Sequence, residues 1–243
     1  MNRSELRADK QPEFTDAESK LFWEPYAARR WGQYISAIER RAIEFALTQT
    51  SEPSQALEIG AEGGRWSQLL ANQGWSLICT DIDRDALQVC QSRIPSAKCV
   101  LVERDSRHFP CETDTLGMLL AIEVHELVEQ DWFVHEASRS LKKNGLFVGV
   151  FQNRSSWRAL VRNSKRDEGD CIQHYTASYA PWRSRLKELG FEFLRQEGLC
   201  WMPFGRMSNS PFIPVSVQIE RWLGLRRLPR FSPWIVFVAK KVV

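Results

Sequence analysis

The stretch Ala56-Leu57-Glu58-Ile59-Gly60-Ala61-Glu62-Gly63-Gly64-Arg65-Trp66 reads as a short buried strand, a glycine turn and a helix start. A second apolar run follows and ends on Asp81-Ile82-Asp83, about twenty residues on. Glycines let a ligand approach the backbone closely, and a strand-end carboxylate suits ribose hydroxyls. The pair therefore predicts a nucleoside-binding α/β unit. Glu62 is the unusual residue. It stands where a dinucleotide site keeps a second glycine, so that backbone can touch pyrophosphate. A carboxylate there crowds and repels a diphosphate. It does not repel a phosphate-free nucleoside that carries positive charge.

The pattern continues outward from this turn. Gln55–Ile59 reads as strand one, Gly64–Gln73 as helix, Trp75–Thr80 as strand two, Arg84–Ser92 as helix and Cys99–Glu103 as strand three. Leu116–Ile122 is a continuous apolar run, which suits a central parallel strand buried on both faces. Asp131–Leu141 reads as helix, Lys142-Lys143-Asn144-Gly145 as a turn and Leu146–Phe151 as strand five. Strands alternating with helices at this spacing predict an α/β fold, a doubly wound and mostly parallel sheet with helices on both faces.

Residues 1–15 read as disordered, and 16–243 as one domain. Within it, 16–50 form a helical cap and 152–232 hold insertions on the acceptor side. The cap pattern carries Trp23, Tyr26, Trp31, Tyr34 and Ile35 among charges. Ala180–Leu189 and Pro214–Leu223 read as helices, the second amphipathic. Gly198–Ser210 reads as an ordered surface loop, and the chain closes on an apolar strand after Pro233.

Composition narrows the function classes. Hydrophobic residues make up 43% and charged residues 26%, as in soluble globular proteins. A net charge of +3, with the basic residues spread out apart from Arg226, Arg227 and Arg230, gives no nucleic-acid footprint. No apolar run reaches the roughly 18–20 residues of a membrane span, and the polar start from Met1 to Glu13 does not read as a secretory signal. Cys79, Cys90, Cys99, Cys111, Cys171 and Cys200 form no C-x-x-C pair, so buried free thiols in a reducing cytoplasm are expected, with no metal site.

The layout resembles the class I S-adenosylmethionine-dependent methyltransferases, closely over about residues 55–151 and more loosely over 175–243. Glu58-Ile59-Gly60-Ala61-Glu62-Gly63-Gly64 matches the family's acid–apolar–Gly–x–Gly–x–Gly motif, except that Glu62 replaces the middle glycine. The resemblance implies a seven-stranded sheet whose antiparallel strand, Trp234–Lys240, lies inside it. It also implies S-adenosylmethionine as cofactor and S-adenosylhomocysteine as product. By the same resemblance Gly60, Ala61 and Gly64 lie under the methionine part, and Glu58 acts near the ammonium. Asp81, with Ile82 beside it, takes the ribose. Arg104-Asp105-Ser106 matches the family's segment after strand three, with Asp105 as adenine partner and Ser106 as its small neighbour. Ala121-Ile122-Glu123-Val124-His125-Glu126 resembles the end of strand four. Arg139-Ser140-Leu141-Lys142-Lys143-Asn144-Gly145 resembles the lead into strand five. Glu62 is left between contacting the ammonium and facing solvent.

Methyl transfer mainly needs nucleophile and methyl held at near-attack distance, and a base only for a weak nucleophile such as an alcohol. Such groups belong at the carboxyl ends of strands four and five. Catalytic candidates are His125, as a base titrating near neutrality, and Glu123, over the cofactor or on the acceptor. Gln152, Asn153 and Arg154, the pair His174-Tyr175, and the cap aromatics Tyr26, Trp31 and Tyr34 are further candidates. Trp201–Ser210 reads as the acceptor-specific loop. The expected activity is O-methylation of a small-molecule acceptor; a non-catalytic cofactor-binding module of the same fold is the alternative. A nicotinamide oxidoreductase fits poorly because the G-x-G-x-x-G spacing is missing. Nucleic acid is not an expected partner. The basic residues beside Pro214–Leu223 leave open a contact with a membrane surface, and the sequence does not set the oligomeric state.

Overall fold

The structure is a computed structural model that describes residues 21–163 and 175–243. The tail expected to be disordered, His174, Cys171 and most of 162–170 lie outside the described residues. Seven strands form one sheet in the order β3-β2-β1-β4-β5-β7-β6. They are β1 (Gln55–Ile59), β2 (Ser76–Asp81), β3 (Lys98–Leu101), β4 (Leu116–Ala121), β5 (Leu141–Gln152), β6 (Phe191–Leu199) and β7 (Trp234–Lys241). β7 runs antiparallel between β5 and β6, as the resemblance implies. The β3-β2-β1-β4-β5 block is parallel. Order reverses between β1 and β4, so the carboxyl ends of those strands open a crevice.

β4 is buried at every position. Met118 and Leu120 join one core layer, Leu119 and Ala121 the other, as the two-residue period of a strand requires. The first layer packs under α2 (Arg30–Thr48), α3 (Arg65–Ala71) and α4 (Arg84–Arg93). The second packs under α6 (Asp131–Ser140) and α8 (Tyr179–Glu188). Aromatic rings fill the second layer edge to face, with Phe147 and Trp182 each 4.9 Å from Phe237. Cys79, Cys90 and Cys99 place three sulfurs within 4.8 Å of one another, on β2, α4 and β3. They pack under the first layer next to Gly64, where a Cβ would come 2.7 Å from Cys90 Sγ.

The described part of the cap is helical and comprises two helices. α1 (Trp23–Ala27) and α2 are separated by extended backbone at Arg29, and the corner closes because Gly32 sits against the Tyr26 carbonyl with no room for a side chain. One expectation is corrected: Lys142–Gly145 is not a free turn. It belongs to β5, which already pairs Leu141 with Leu116; the left-handed Asn144 (φ 67°) coincides with a register shift before Met118. Turn-forming residues here make an irregularity inside a strand. The remaining helices are α5 (His125–Val128), α7 (Trp157–Asn163) and α9 (Ile213–Trp222). No described helix is long and apolar enough to cross a membrane.

Candidate active site

Gly60 leaves β1 with φ +68°, a conformation that costs an L side chain energy, and a Cβ there would overlap Val124 Cγ1. The turn is then fixed by its backbone. Ala61 N–H donates to the Thr80 carbonyl (2.9 Å), and Gly64 N–H to the Ala61 carbonyl (2.8 Å). Asp81, at the end of β2, accepts from Glu62 N–H (2.8 Å) and, with its other oxygen, from Asp83 N–H (3.0 Å). Two backbone donors thus orient this carboxylate beside the turn, and each oxygen keeps a lone pair. Asp83 instead caps α4, accepting from the Asp85 and Ala86 N–H groups.

These groups border a cavity of about 1130 Å³. Glu58, Gly60, Ala61, Asp81, Ile82, Ser106, Glu123 and His125 line it. Gly64 does not: it starts α3 with φ 75° and packs on Cys90 and Ile94. Asp105 is exposed and is not part of the lining, whereas its neighbours Arg104 and Ser106 are. Phe109 and Pro110 complete that end. Arg139 holds the loop there, donating to the Cys111 carbonyl (3.1 Å) and to Glu136 (2.7 Å), which in turn accepts from Phe109 N–H.

Glu58 is buried and accepts a hydrogen bond from Ser67. Burial pushes its pKa up to about 8. Through this group alone the ligand-free fold loses stability as pH rises from the ordinary 4.5 towards 8, because the folded state holds the proton longer than the unfolded chain does.

Glu62 lines the cavity and is not a free surface group. With φ 49°, its carboxylate turns to α1 and accepts from Trp23 N–H at 2.8 Å. Arg93 adds a second tie, to Glu24 (2.7 Å) and to the Gly63 carbonyl (2.9 Å). The chain's first described helix is thereby latched onto the glycine turn, and Trp23 joins the cavity wall. Glu62→Ala should cost about 1 kcal/mol, the worth of a helix-capping bond, and speed proteolysis near Trp23. Denaturant melts and limited proteolysis read both effects.

At the other end of the cavity lies a polar cluster. Glu123 stands two residues past the end of β4 with φ 60°, a strained conformation for a residue other than glycine, and its side chain is 13% exposed. Glu39, on α2, is fully buried and pairs with Arg65 at 3.3 Å. Arg65 also donates to Ser36 (2.6 Å) and lies 4.2 Å from the Trp66 ring centre. Burial and the nearby Glu123 carboxyl lift Glu39 well above the carboxylate range. Burial also lifts Glu123, while Arg206 and a hydrogen bond from Glu39 oppose the rise. Of the two carboxyls, Glu39 is lifted the further, because it is the more deeply buried and has Glu123 beside it. Arg206 reaches in from the 200–212 loop, 3.7 Å from Glu123 and 3.1 Å from His125 Nε2. His125 Nε2 also lies 3.2 Å from Glu123 Oε2, so the ring nitrogen sits between the Arg206 guanidinium and the Glu123 carboxylate. Burial, aided by the Arg206 charge, drives His125 down to about 3. The near-neutral titration expected from its sequence position does not hold; the ring is neutral and weakly basic.

The other candidates do structural work. Asn153 is buried, donates to the Arg230 and Ser232 carbonyls and accepts from Tyr179 N–H. Tyr34 bonds Glu220 at 2.6 Å and receives Cys200 N–H. Tyr175 accepts from Trp234 Nε1–H at 3.1 Å. Gln152, Arg154, Tyr26 and Trp31 are not part of the lining. Arg206, Arg65, Glu39 and Trp23 were not individually assigned from sequence. Arg65 lay within the opening glycine-turn stretch and Arg206 within the loop read as acceptor-specific.

The donor set suits an adenosine that carries a cation. Carboxylates stand at Asp81 and Glu58, and the cations beside the turn, Arg65 and Arg93, are engaged by Glu39 and Glu24.

Residues 57–149 match the family model of the methyltransferase domain. No curated protein matches the chain. Solved structures share its fold. One is a geranyl diphosphate methyltransferase in complex with geranyl diphosphate and sinefungin (TM-score 0.61, 13% identity, covering 85% of this chain and 78% of that one). Another is a Listeria monocytogenes protein assigned as an S-adenosylmethionine-dependent methyltransferase (0.59, 14%, 84% and 97%). A third is the [4+2]-cyclase SpnF (0.55, 14%, 86% and 82%). At such identities the likeness carries the fold alone, and the cyclase illustrates that the fold does not dictate the reaction.

Proposed function

We propose that this chain, whose residues 57–149 form a methyltransferase domain on the class I S-adenosylmethionine-dependent fold, moves a methyl group onto an oxygen of a small polar acceptor. The observation that carries the reading is the cavity. At about 1130 Å³ it exceeds the roughly 300–1,000 Å³ of a single-ligand pocket, and it runs from the glycine turn to the Glu123–His125–Arg206 cluster. That leaves room for a nucleoside cofactor and an acceptor side by side.

S-adenosylmethionine, when bound, supplies a methyl group already activated on a sulfonium. The chain's own residues do the rest. Asp81 holds the ribose hydroxyls, with its carboxylate preset by Glu62 and Asp83 N–H. Glu58 faces the ammonium. Ile82 and Ser106 border the base. Glu123, the cavity-lining carboxyl that Arg206 faces, takes the proton of the acceptor hydroxyl. Arg206 orients the acceptor beside it, and neutral His125 fixes the Arg206 guanidinium. Trp23, latched by Glu62, excludes water.

A cation seated on Glu58 draws that carboxyl into its ionised form. S-adenosylhomocysteine affinity should therefore fall by up to about tenfold for each pH unit below the Glu58 pKa of about 8, with a proton released on binding. Calorimetry in buffers of different ionisation enthalpy measures this, and Glu58→Gln should flatten the slope.

The proposal is tested with labelled-methyl cofactor and a panel of polar hydroxylated acceptors, the product identified by mass. A labelled ether or ester supports it. Tight S-adenosylhomocysteine binding with no labelled product from any acceptor would favour the non-catalytic module instead.

A further inference from the structure

The helix α9 is turned inside out. Its inward face buries Ser216 and Glu220 along with Ile213, and Glu220 is satisfied there by Tyr34 and by Trp201 N–H (3.0 Å). Its outward face is the apolar one. Phe212, Val215, Ile219, Trp222 and Leu223 recur at helical spacing and point to solvent, Trp222 being 89% exposed and Phe212 69%. Leu228 and Phe231 extend the exposed apolar surface beyond the helix. A surface helix of an ordinary monomer shows the opposite arrangement, and a contiguous apolar patch of this kind marks an interaction site.

Charge identifies the occupant. Residues 211–231 contain four arginines and one carboxylate. That carboxylate is the buried Glu220, and Arg226 is engaged by Glu197 at 2.9 Å. Arg221, Arg227 and Arg230 are left exposed around the apolar stripe with no exposed acid in the segment. A twofold contact with a second copy would bring these arginines against their own kind, which is repulsive. An exposed tryptophan and phenylalanines rimmed by arginines instead match the chemistry of an anionic bilayer surface, with rings at headgroup depth and guanidinium groups on phosphates.

We propose that α9 and the segment to Phe231 form a monotopic seat on a membrane rich in anionic phospholipid. The seat follows directly in sequence on the 200–212 loop that carries Arg206. The seat does not depend on the acceptor or on the chemistry proposed above.

Vesicle co-sedimentation of the full chain tests this, with phosphatidylcholine vesicles set against vesicles that also contain phosphatidylglycerol. The protein should partition to the phosphatidylglycerol vesicles and release as salt is raised. Replacing Phe212 and Trp222 together by serine should weaken binding about tenfold or more, because the anchoring rings are gone. Each of Arg221→Ala and Arg227→Ala should weaken it about fivefold, the equivalent of about 1 kcal/mol. Unchanged S-adenosylhomocysteine affinity in these variants confirms that the fold is intact. Binding that is equal on both vesicle types, or equal in the wild type and the serine variant, overturns the proposal. So does a dimer that the serine variant abolishes while the wild type ignores both vesicles, since a second copy then covers the face.

Discussion

Glu123→Gln should lower kcat by about 10²–10⁴-fold, the usual worth of a positioned proton acceptor, while S-adenosylhomocysteine affinity changes little. The expectation rests on place and charge. Glu39 is fully buried, outside the cavity lining and lifted the further, whereas Glu123 lines the cavity with Arg206 at 3.7 Å opposing its rise, so it is the carboxyl an acceptor can reach. Glutamine keeps the size and the polar contacts and removes only the basicity. The pH profile separates this from a packing effect. In the wild type kcat should fall at low pH as Glu123 protonates, and the variant should lose that limb. His125 cannot substitute, because a ring held at about 3 is a poor proton acceptor at neutral pH. His125→Asn should mainly raise KM, by letting Arg206 drift. A full-activity Glu123→Gln would move the proton to another group.

Asp81→Ala should weaken S-adenosylhomocysteine binding about 100-fold, since two hydrogen bonds to a charged carboxylate are each worth about 1.5–3 kcal/mol and part is recovered from water. The effect has a second source. Asp81 also pins Glu62 N–H at 2.8 Å, and Glu62 in turn holds Trp23, so removing the carboxylate loosens both the turn and the latch above it. Asp81→Asn tells the two apart, because its single amide oxygen can still accept from Glu62 N–H and hold the latch, while it loses the bond from Asp83 N–H and binds the ribose less well. Calorimetry on both variants, with thermal melts as control, gives the split.

The parts of this molecule that depend on neighbours in sequence are readable without a structure. β1, the Gly60 turn and Asp81 lie within one βαβ unit, so strand propensity, turn chemistry and the carboxylate at the strand end all act locally. β4 announces itself because both of its faces are buried. The parts that depend on distant partners are not readable. Glu62 takes its role from Trp23, 39 residues away. The titration of His125 is set by burial and by Arg206, 81 residues away. Lys142–Gly145 has the composition of a turn, yet Leu141 already pairs with Leu116, and the sheet absorbs the irregularity. For α9 the periodicity gives an apolar stripe but not the side it faces. Only the contacts of Glu220 with Tyr34 and Trp201 show that the polar side is the inner one.

The Gly60 turn and Asp81 together are held to accept a phosphate-free adenosine bearing a cation. The most direct test is a calorimetric titration of the intact chain with S-adenosylhomocysteine and, in parallel, with NAD. Saturable binding of S-adenosylhomocysteine with no heat from NAD is the expected result. Tighter binding of NAD, or no binding of S-adenosylhomocysteine by a well-folded protein, would contradict the account.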